Sequence, residues 1–258
     1  MATVASEARG GAWTAEETIL FTPQAGAGLR RVPADSGQDT PLTASLSSGT
    51  AEYWPHALLG RRQFLYLARK APGTGAVFLA ALDARTPKRL FNAQSKRGVT
   101  FEPAAVGPVW SPDGAKILYT RPMPLNLHIR ETGGTGREER LTRSPNTQIP
   151  FDWSRDGRFI LCNESSPVTR WDLWALPLDG DRKPIPAVQG PSDEVQGLFS
   201  PDGKWIAYTS NESGREEIYV RAFPPSGGAC GGFPRTVVLS RGGAATARSY
   251  STWRRMKP

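Results

Sequence analysis

The chain has 258 residues, of which 27 are glycine and 23 proline, with a hydrophobic fraction of 38% and a formal net charge of +8. A low apolar share with so many turn formers reads as one turn-rich all-β domain, and no window approaches the roughly 20 apolar residues of a membrane-spanning helix. Cys162 and Cys230 are too few for a disulfide framework and neither lies in a paired metal-ligand spacing; Cys162, on a strand, is expected to be a packed core thiol and not a ligand.

Taken in order, residues 1–11 read as a disordered lead, with neither the basic nor the apolar region of a signal peptide, so the chain is expected to stay where it is made. Structure is expected from Trp13. The first unit opens with AWTAEETILFT (Ala12 to Thr22) and continues through Gly28 to Thr43 as a strand, a glycine-containing turn and a return strand. Ser45 to Thr50 is a polar linker. The second unit runs from about Tyr53 to Phe91, with strands QFLYLA and AVFLAALD on either side of APGTG. The third, fourth and fifth units are expected from Val109, Phe151 and Leu198.

These units repeat. VWSPDGAKILYT (Val109 to Thr120), DWSRDGRFILC (Asp152 to Cys162) and FSPDGKWIAYT (Phe199 to Thr209) keep one register, and HALLGRRQFLYLA (His56 to Ala68) is a degraded copy. In Pro201-Asp202-Gly203 the proline presets φ, the aspartate bonds its own backbone and the glycine accepts positive φ, so strands flank a tight turn. Lys204 to Ser210 and Ile218 to Phe223 are those strands and their return. Trp205 and Ala207 face one side and Ile206 and Tyr208 the other, so the sheet must be covered on both faces. The anchors Trp13, Ala57, Trp110, Trp153 and Phe199 are spaced by about 44, 53, 43 and 46 residues, the length of a four-stranded propeller blade. Helical repeats are disfavoured, because each copy alternates and is punctuated by Gly, Pro, Asp and Asn.

The strings VGPVWSPDG (Val106 to Gly114), DWSRDGRFIL (Asp152 to Leu161) and WDLWALPLDGDRKP (Trp171 to Pro184), with the opening stretch, resemble TolB-like, WD-repeat-like β-propellers. In particular they resemble the propeller that follows the kinase domain of many bacterial eukaryotic-like serine/threonine kinases. The resemblance covers most of residues 12–228. It implies an all-β propeller of about five recognisable blades in an incomplete ring, and a parent protein whose propeller lies outside the cytoplasm. Asn92 to Ala105 joins what resembles the end of an early blade to the approach of a much later one, which reads as an internal deletion.

Chemistry is sparse. There is no G-x-S-x-G nucleophile elbow, no glycine-rich phosphate loop with its lysine, no H-R-D and no D-F-G, so neither hydrolase nor kinase activity is expected. His56 and His128 lie on different units and share no metal or triad role. Asp113, Asp156 and Asp202 are read as turn formers in preference to ligands. Gly73 to Gly75 and Gly133 to Gly136 lack a following phosphate-binding helix and read as hairpin loops. Trp54, Trp110, Trp153, Trp171, Trp174 and Trp205 are read as core in preference to a binding surface. No catalytic, cofactor-binding or metal-ligating residue is expected, and no cofactor.

Ala229 to Pro258 breaks the pattern. It holds Arg235, Arg241, Arg248, Arg254, Arg255 and Lys257 and no acidic residue, leaving only about +2 for the blades, too little for a nucleic-acid footprint. Reverse translation from the third base of the Ala229 codon permits the shifted reading VRRISTNGGSQPRWRGDGKELFYLAPDE, which resembles the next family blade. The segment is read as a frameshifted tail, expected to be poorly ordered. The expected role is a non-catalytic binding or scaffolding module, with a protein, peptide or small ligand on a propeller face and self-association through open edges. A freestanding TolB-like periplasmic interaction protein and an enzyme with its active site in the channel stay open beside it.

Overall fold

The computed structural model describes residues 11–23, 28–33, 35, 38–43, 50–58, 60–70, 75–84, 86–92, 107–121, 125–133, 137–225 and 236–238. Among them are twenty strands and no helix, arranged as five four-stranded antiparallel sheets, each a meander in chain order. The chain is an all-β protein with the β-propeller fold. Its blades are β1–β4 (Gly11–Trp13, Thr18–Phe21, Arg30–Pro33, Thr40–Pro41), β5–β8 (Ala51–Ala57, Gln63–Arg69, Ala76–Ala81, Lys88–Asn92) and β9–β12 (Val109–Trp110, Lys116–Arg121, Asn126–Glu131, Glu139–Arg140). The fourth and fifth are β13–β16 (Gln148–Trp153, Phe159–Ser166, Arg170–Pro177, Ile185–Val188) and β17–β20 (Glu194–Phe199, Trp205–Ser210, Glu217–Ala222, Thr236–Val238). Two compact units divide the chain, Met1–Arg143 with blades one to three and Ser144–Pro258 with blades four and five.

All five repeat anchors fall on the last residue of a first strand: Trp13, Ala57, Trp110, Trp153 and Phe199. The turn follows because Gly114, Gly157 and Gly203 take φ of 73°, 78° and 71°, a conformation that costs an L side chain roughly 1–2 kcal/mol. In blade two Gly60 does the same at 69°, while in blade one Glu17 takes φ 53° itself.

Alternation along the second strands explains why both faces of a blade are apolar. On β6, Phe64, Tyr66 and Ala68 pack with Leu20 and Leu29 of blade one, whereas Leu65 and Leu67 pack with Trp110, Ile117 and Tyr119 of blade three. In the second unit Leu161, Leu173 and Ala175 of blade four meet Phe199, Ile206, Tyr208 and Tyr219 of blade five. Phe223 stands edge-on to Phe159 and Phe199, each at 5.1 Å between ring centres. Gly197 lets these sheets close up, since a Cβ there would lie 2.7 Å from Leu161 Cδ2 and 2.8 Å from Leu173 Cδ2.

Within the first unit β1 packs on β5 and β5 on β9, and within the second β13 packs on β17. First strands are therefore the inner strands of these blades, since radially stacked sheets converge toward their axis. Three of them are bulged: β5 between Tyr53 and His56, β13 between Pro150 and Asp152, and β17 between Val195 and Leu198. Trp54 (φ 45°) and Gln196 (φ 58°) take the left-handed conformation inside two of these bulges.

Three expectations are corrected. Blades four and five begin at Gln148 and Glu194, earlier than Phe151 and Leu198, because a bulge interrupts the apolar alternation that marks a strand. The tail 229–258 was expected to be poorly ordered throughout. Instead β20 pairs antiparallel with β19, Val238 opposite Ile218 and Thr236 opposite Val220, as a β-branched triplet suits an open edge. Residues 1–10 of the expected lead 1–11, 45–49 of the linker Ser45 to Thr50, 93–105 of the junction Asn92 to Ala105 and the remainder of 229–258 lie outside the described residues, while Gly11 belongs to β1 and Asn92 to β8.

Candidate binding face

An antiparallel meander sends its first and third turns to one end of the blade and its second turn, with the crossover to the next blade, to the other. The first may be named the turn end and the second the loop end. At the turn end of blade three, Gly114 N donates to Ser111 O (2.9 Å) and Ser111 N to Lys116 O (2.9 Å). Ser111 Oγ donates to Asp113 Oδ1 (2.6 Å) and accepts from Lys116 N (2.8 Å), and Ala115 N donates to Asp113 Oδ1 (2.9 Å). Blades four and five repeat the network through Ser154 and Asp156 and through Ser200 and Asp202.

Ser111 and then the Ala115 amide hold the Asp113 carboxyl below its ordinary range, and Ser200 and then the Lys204 amide do so for Asp202. For Asp156 partial burial pulls upward but is outweighed by Ser154 and Arg158, so it too is depressed. The three aspartates are thus turn formers, as expected. The serine two residues before each is the partner that sequence reasoning passed over, although S-x-D-G stands in all three copies.

The loop end is built differently, with partners distant in sequence and several of them supplied across blades. Glu52 on β5 is fully buried, and its Oε2 accepts from Leu29 N of blade one (2.9 Å) and from Thr43 Oγ1. Burial raises its pKa, opposed by Thr43 and Leu29. Asn163 on β14 rivets blade four to blade five: its Nδ2 donates to Asp172 O (3.2 Å) and to Glu194 O, while its Oδ1 accepts from Gln196 N (3.2 Å). Glu164 accepts from Ser144 Oγ (3.0 Å), Asn146 Nδ2 (3.1 Å) and Gln148 Nε2 (2.5 Å). Asp193 accepts from Arg170 Nη2 (2.8 Å) and Asn211 Nδ2 (3.2 Å).

His56 on β5 and His128 on β11 stay on separate blades. His128 does enter a cluster that its sequence position did not announce. Its Nδ1 lies 3.2 Å from Glu138 Oε1, and Glu138 Oε2 accepts from Arg121 Nε (2.8 Å) and from the Tyr119 hydroxyl. Burial lowers the His128 pKa, with Glu138 opposing, and burial and then Glu138 push Tyr119 up. Tyr119 also packs on Phe91 of blade two, so the cluster fastens neighbouring blades.

The tryptophans divide. Trp110 and Trp153 are core, Trp54, Trp171 and Trp174 are half-buried, and Trp205 is 42% exposed. Cys162 is buried on β14 and burial raises its pKa. Gly133 ends a turn after β11; positions 73–74 and 134–136, and Cys230, lie outside the described residues. Among the described residues no group of three His, Cys, Asp or Glu is placed to hold a metal ion.

No protein-family model matches the chain. Solved structures share its fold at low identity. A TolB protein of Agrobacterium tumefaciens, described as putative, superposes with a TM-score of 0.70 at 16% identity, over 91% of this chain and 81% of that one. TolB from Acinetobacter baumannii gives 0.64 at 17% identity, over 83% of this chain and 49% of its own. A prolyl endopeptidase gives 0.58 at 11% identity, over 84% of this chain but 34% of the peptidase. The fold is the TolB-like β-propeller, and it is shared with enzymes.

Proposed function

We propose that the chain is a non-catalytic binding or scaffolding module that receives a protein or peptide at the loop end of its blades. The observation that carries the reading is the contrast between the ends. Turn-end carboxylates are engaged within their own turns, while loop-end side chains such as Asp193, Arg170 and Asn211 meet where two blades adjoin and remain partly accessible. Loops held by rigid sheets present polar groups at fixed positions without needing a reactive one. The repeat strings support derivation from the sensor region of a bacterial serine/threonine kinase, with the propeller outside the cytoplasm.

The test uses the immobilised full chain and an extract of extracytoplasmic proteins. Capture of a saturable partner is expected to fail for the double variant Asp193→Asn, Asn211→Ala and to persist for the turn-end variant Asp156→Asn. Equal capture by both would overturn the loop-end assignment. Turnover of a peptide or saccharide that is abolished by substituting Glu194 on inner strand β17 would replace this reading with the enzymatic one.

The frameshifted origin of residues 229–258 belongs to the same proposal and is decided by the gene. Its codons are expected to spell the family-like blade in the alternate frame, with a kinase frame and a membrane segment upstream; codons incompatible with that reading would refute it.

A further inference from the structure

One cross-strand pair recurs in four blades. Tyr66 faces Phe78, Tyr119 faces His128, Cys162 faces Trp174 and Tyr208 faces Tyr219, each from the second strand to the third. In blades two, three and five the tyrosine of the second strand packs on the preceding blade, so the pair lies at a seam. Tyr66 stacks on Phe78 at 5.4 Å and Tyr208 on Tyr219 at 5.8 Å, while Tyr119 and His128 stand 6.1 Å apart, tilted by 34°. Of the four third-strand rings, histidine alone changes charge between about pH 5 and 8.

Its surroundings are ill suited to a cation. The His128 side chain is 12% exposed. On its own strand Arg130 follows on the same face, its guanidinium 5.7 Å from the Phe91 ring centre of blade two. On β10 Arg121 lies beyond Tyr119 on that face, and on β12 Arg140 stands directly opposite His128. Arg140 is held there by Thr142 O (2.7 Å) and Asn126 Oδ1 (2.8 Å). Blade two brings Leu65, Leu67, Leu79 and Phe91 to the seam, and Lys88 and Arg89 of its β8 are exposed. Three arginines thus share the face with one acid, Glu138, whose Oε2 already serves Arg121 and Tyr119. Burial keeps the ring neutral, opposed by Glu138 and reinforced by Arg121 and Arg140. Like charges directly opposite on neighbouring strands are destabilising.

We propose that His128 is an acid-operated release on the seam between blades two and three: once the imidazole takes a proton, the new cation is forced against Arg140 and Arg121, and Tyr119 and Phe91 part. The inference is independent of the binding role above. The folded protein binds this proton less readily than the unfolded chain does. The contribution of the neutral ring is therefore full above the ordinary histidine value and is lost as pH falls through the folded one.

The experiment follows amide hydrogen exchange of the full chain from about pH 7.5 to about pH 5.5, above the ordinary carboxylate range, corrected for the intrinsic effect of pH on amides. Protection of β8, β10 and β11 is expected to fall severalfold on acidification while that of β14 stays level. His128→Phe, which supplies the ring that Phe78 provides in blade two, should abolish the fall, and His56→Gln should leave it intact. The chain has two histidines, so His56→Gln leaves a single imidazole for proton NMR, expected to titrate below the ordinary value of about 6.5. Protection that holds or rises on acidification would overturn the proposal, as would a fall that persists in His128→Phe. So would a His128 that titrates at or above the ordinary value. Should His128→Phe fail to fold, exchange of the parent chain and the single-imidazole titration decide between these outcomes by themselves.

Discussion

At the turn end of blades three, four and five a serine, an aspartate and a glycine close a corner inside a single short stretch of chain. At the loop end the equivalent work is done by Glu52, Asn163 and Asp193, each with a partner from another blade: Leu29, Glu194 and Arg170. The difference teaches where each end's stability resides. Turn-end corners depend on local sequence, and damage to one should stay local. Loop-end bonds couple blades, so damage there should spread across an interface.

The largest expected effect breaks the loop end. Asn163→Ala removes the shared donor of Asp172 O and Glu194 O and the acceptor of Gln196 N in a fully buried place, and should destabilise by about 3 kcal/mol, read as a lower urea midpoint. Ser154→Ala at the turn end leaves Phe159 N without its side-chain acceptor in a part-buried place, with no contact to another blade, and should cost about 1 kcal/mol. If the serine change proves the larger, the contrast between the ends fails. Gly203→Ala should cost about 1 kcal/mol from φ alone, because a Cβ there meets nothing within 4 Å.

Acidity gives the smallest and most discriminating test. Asp113 and Asp202 have folded pKa values below their unfolded ones, so their contribution is present above the unfolded value and is lost as pH falls through the folded one. Glu52 has a raised folded pKa, so its contribution is full below the unfolded value and is lost as pH rises through the folded one. Asp202→Asn should therefore flatten the loss of stability below about pH 4. Glu52→Gln should flatten an opposite slope above the ordinary glutamate range. Slopes of one sign in both variants would sink the distinction.

Much of the fold was legible because the repeat anchors carry local physics. Trp110, Trp153 and Phe199 end inner strands, and the glycine after each turn aspartate needs positive φ, so register and turn could be read together. Bulges at Trp54 and Gln196 were not legible, since nothing about tryptophan or glutamine announces a left-handed backbone. Of the face, the turn aspartates were read correctly as structural. The Glu138 partner of His128 was hidden, since hairpin register and not sequence distance brings them together.

The fifth sheet ends on Thr236–Val238, three residues from a segment whose sequence departs from the repeat. An outermost strand needs only to present amides and carbonyls at strand spacing, because its contribution to the ladder is written in the main chain. Such a position is tolerant of replacement in a way that β6 or β14, packed on both faces, is not. Evolution can therefore rewrite, truncate or splice a repeat array at the outer rim of a terminal blade with little penalty, and a lineage of such proteins would be expected to vary most at that border while its inner strands drift slowly.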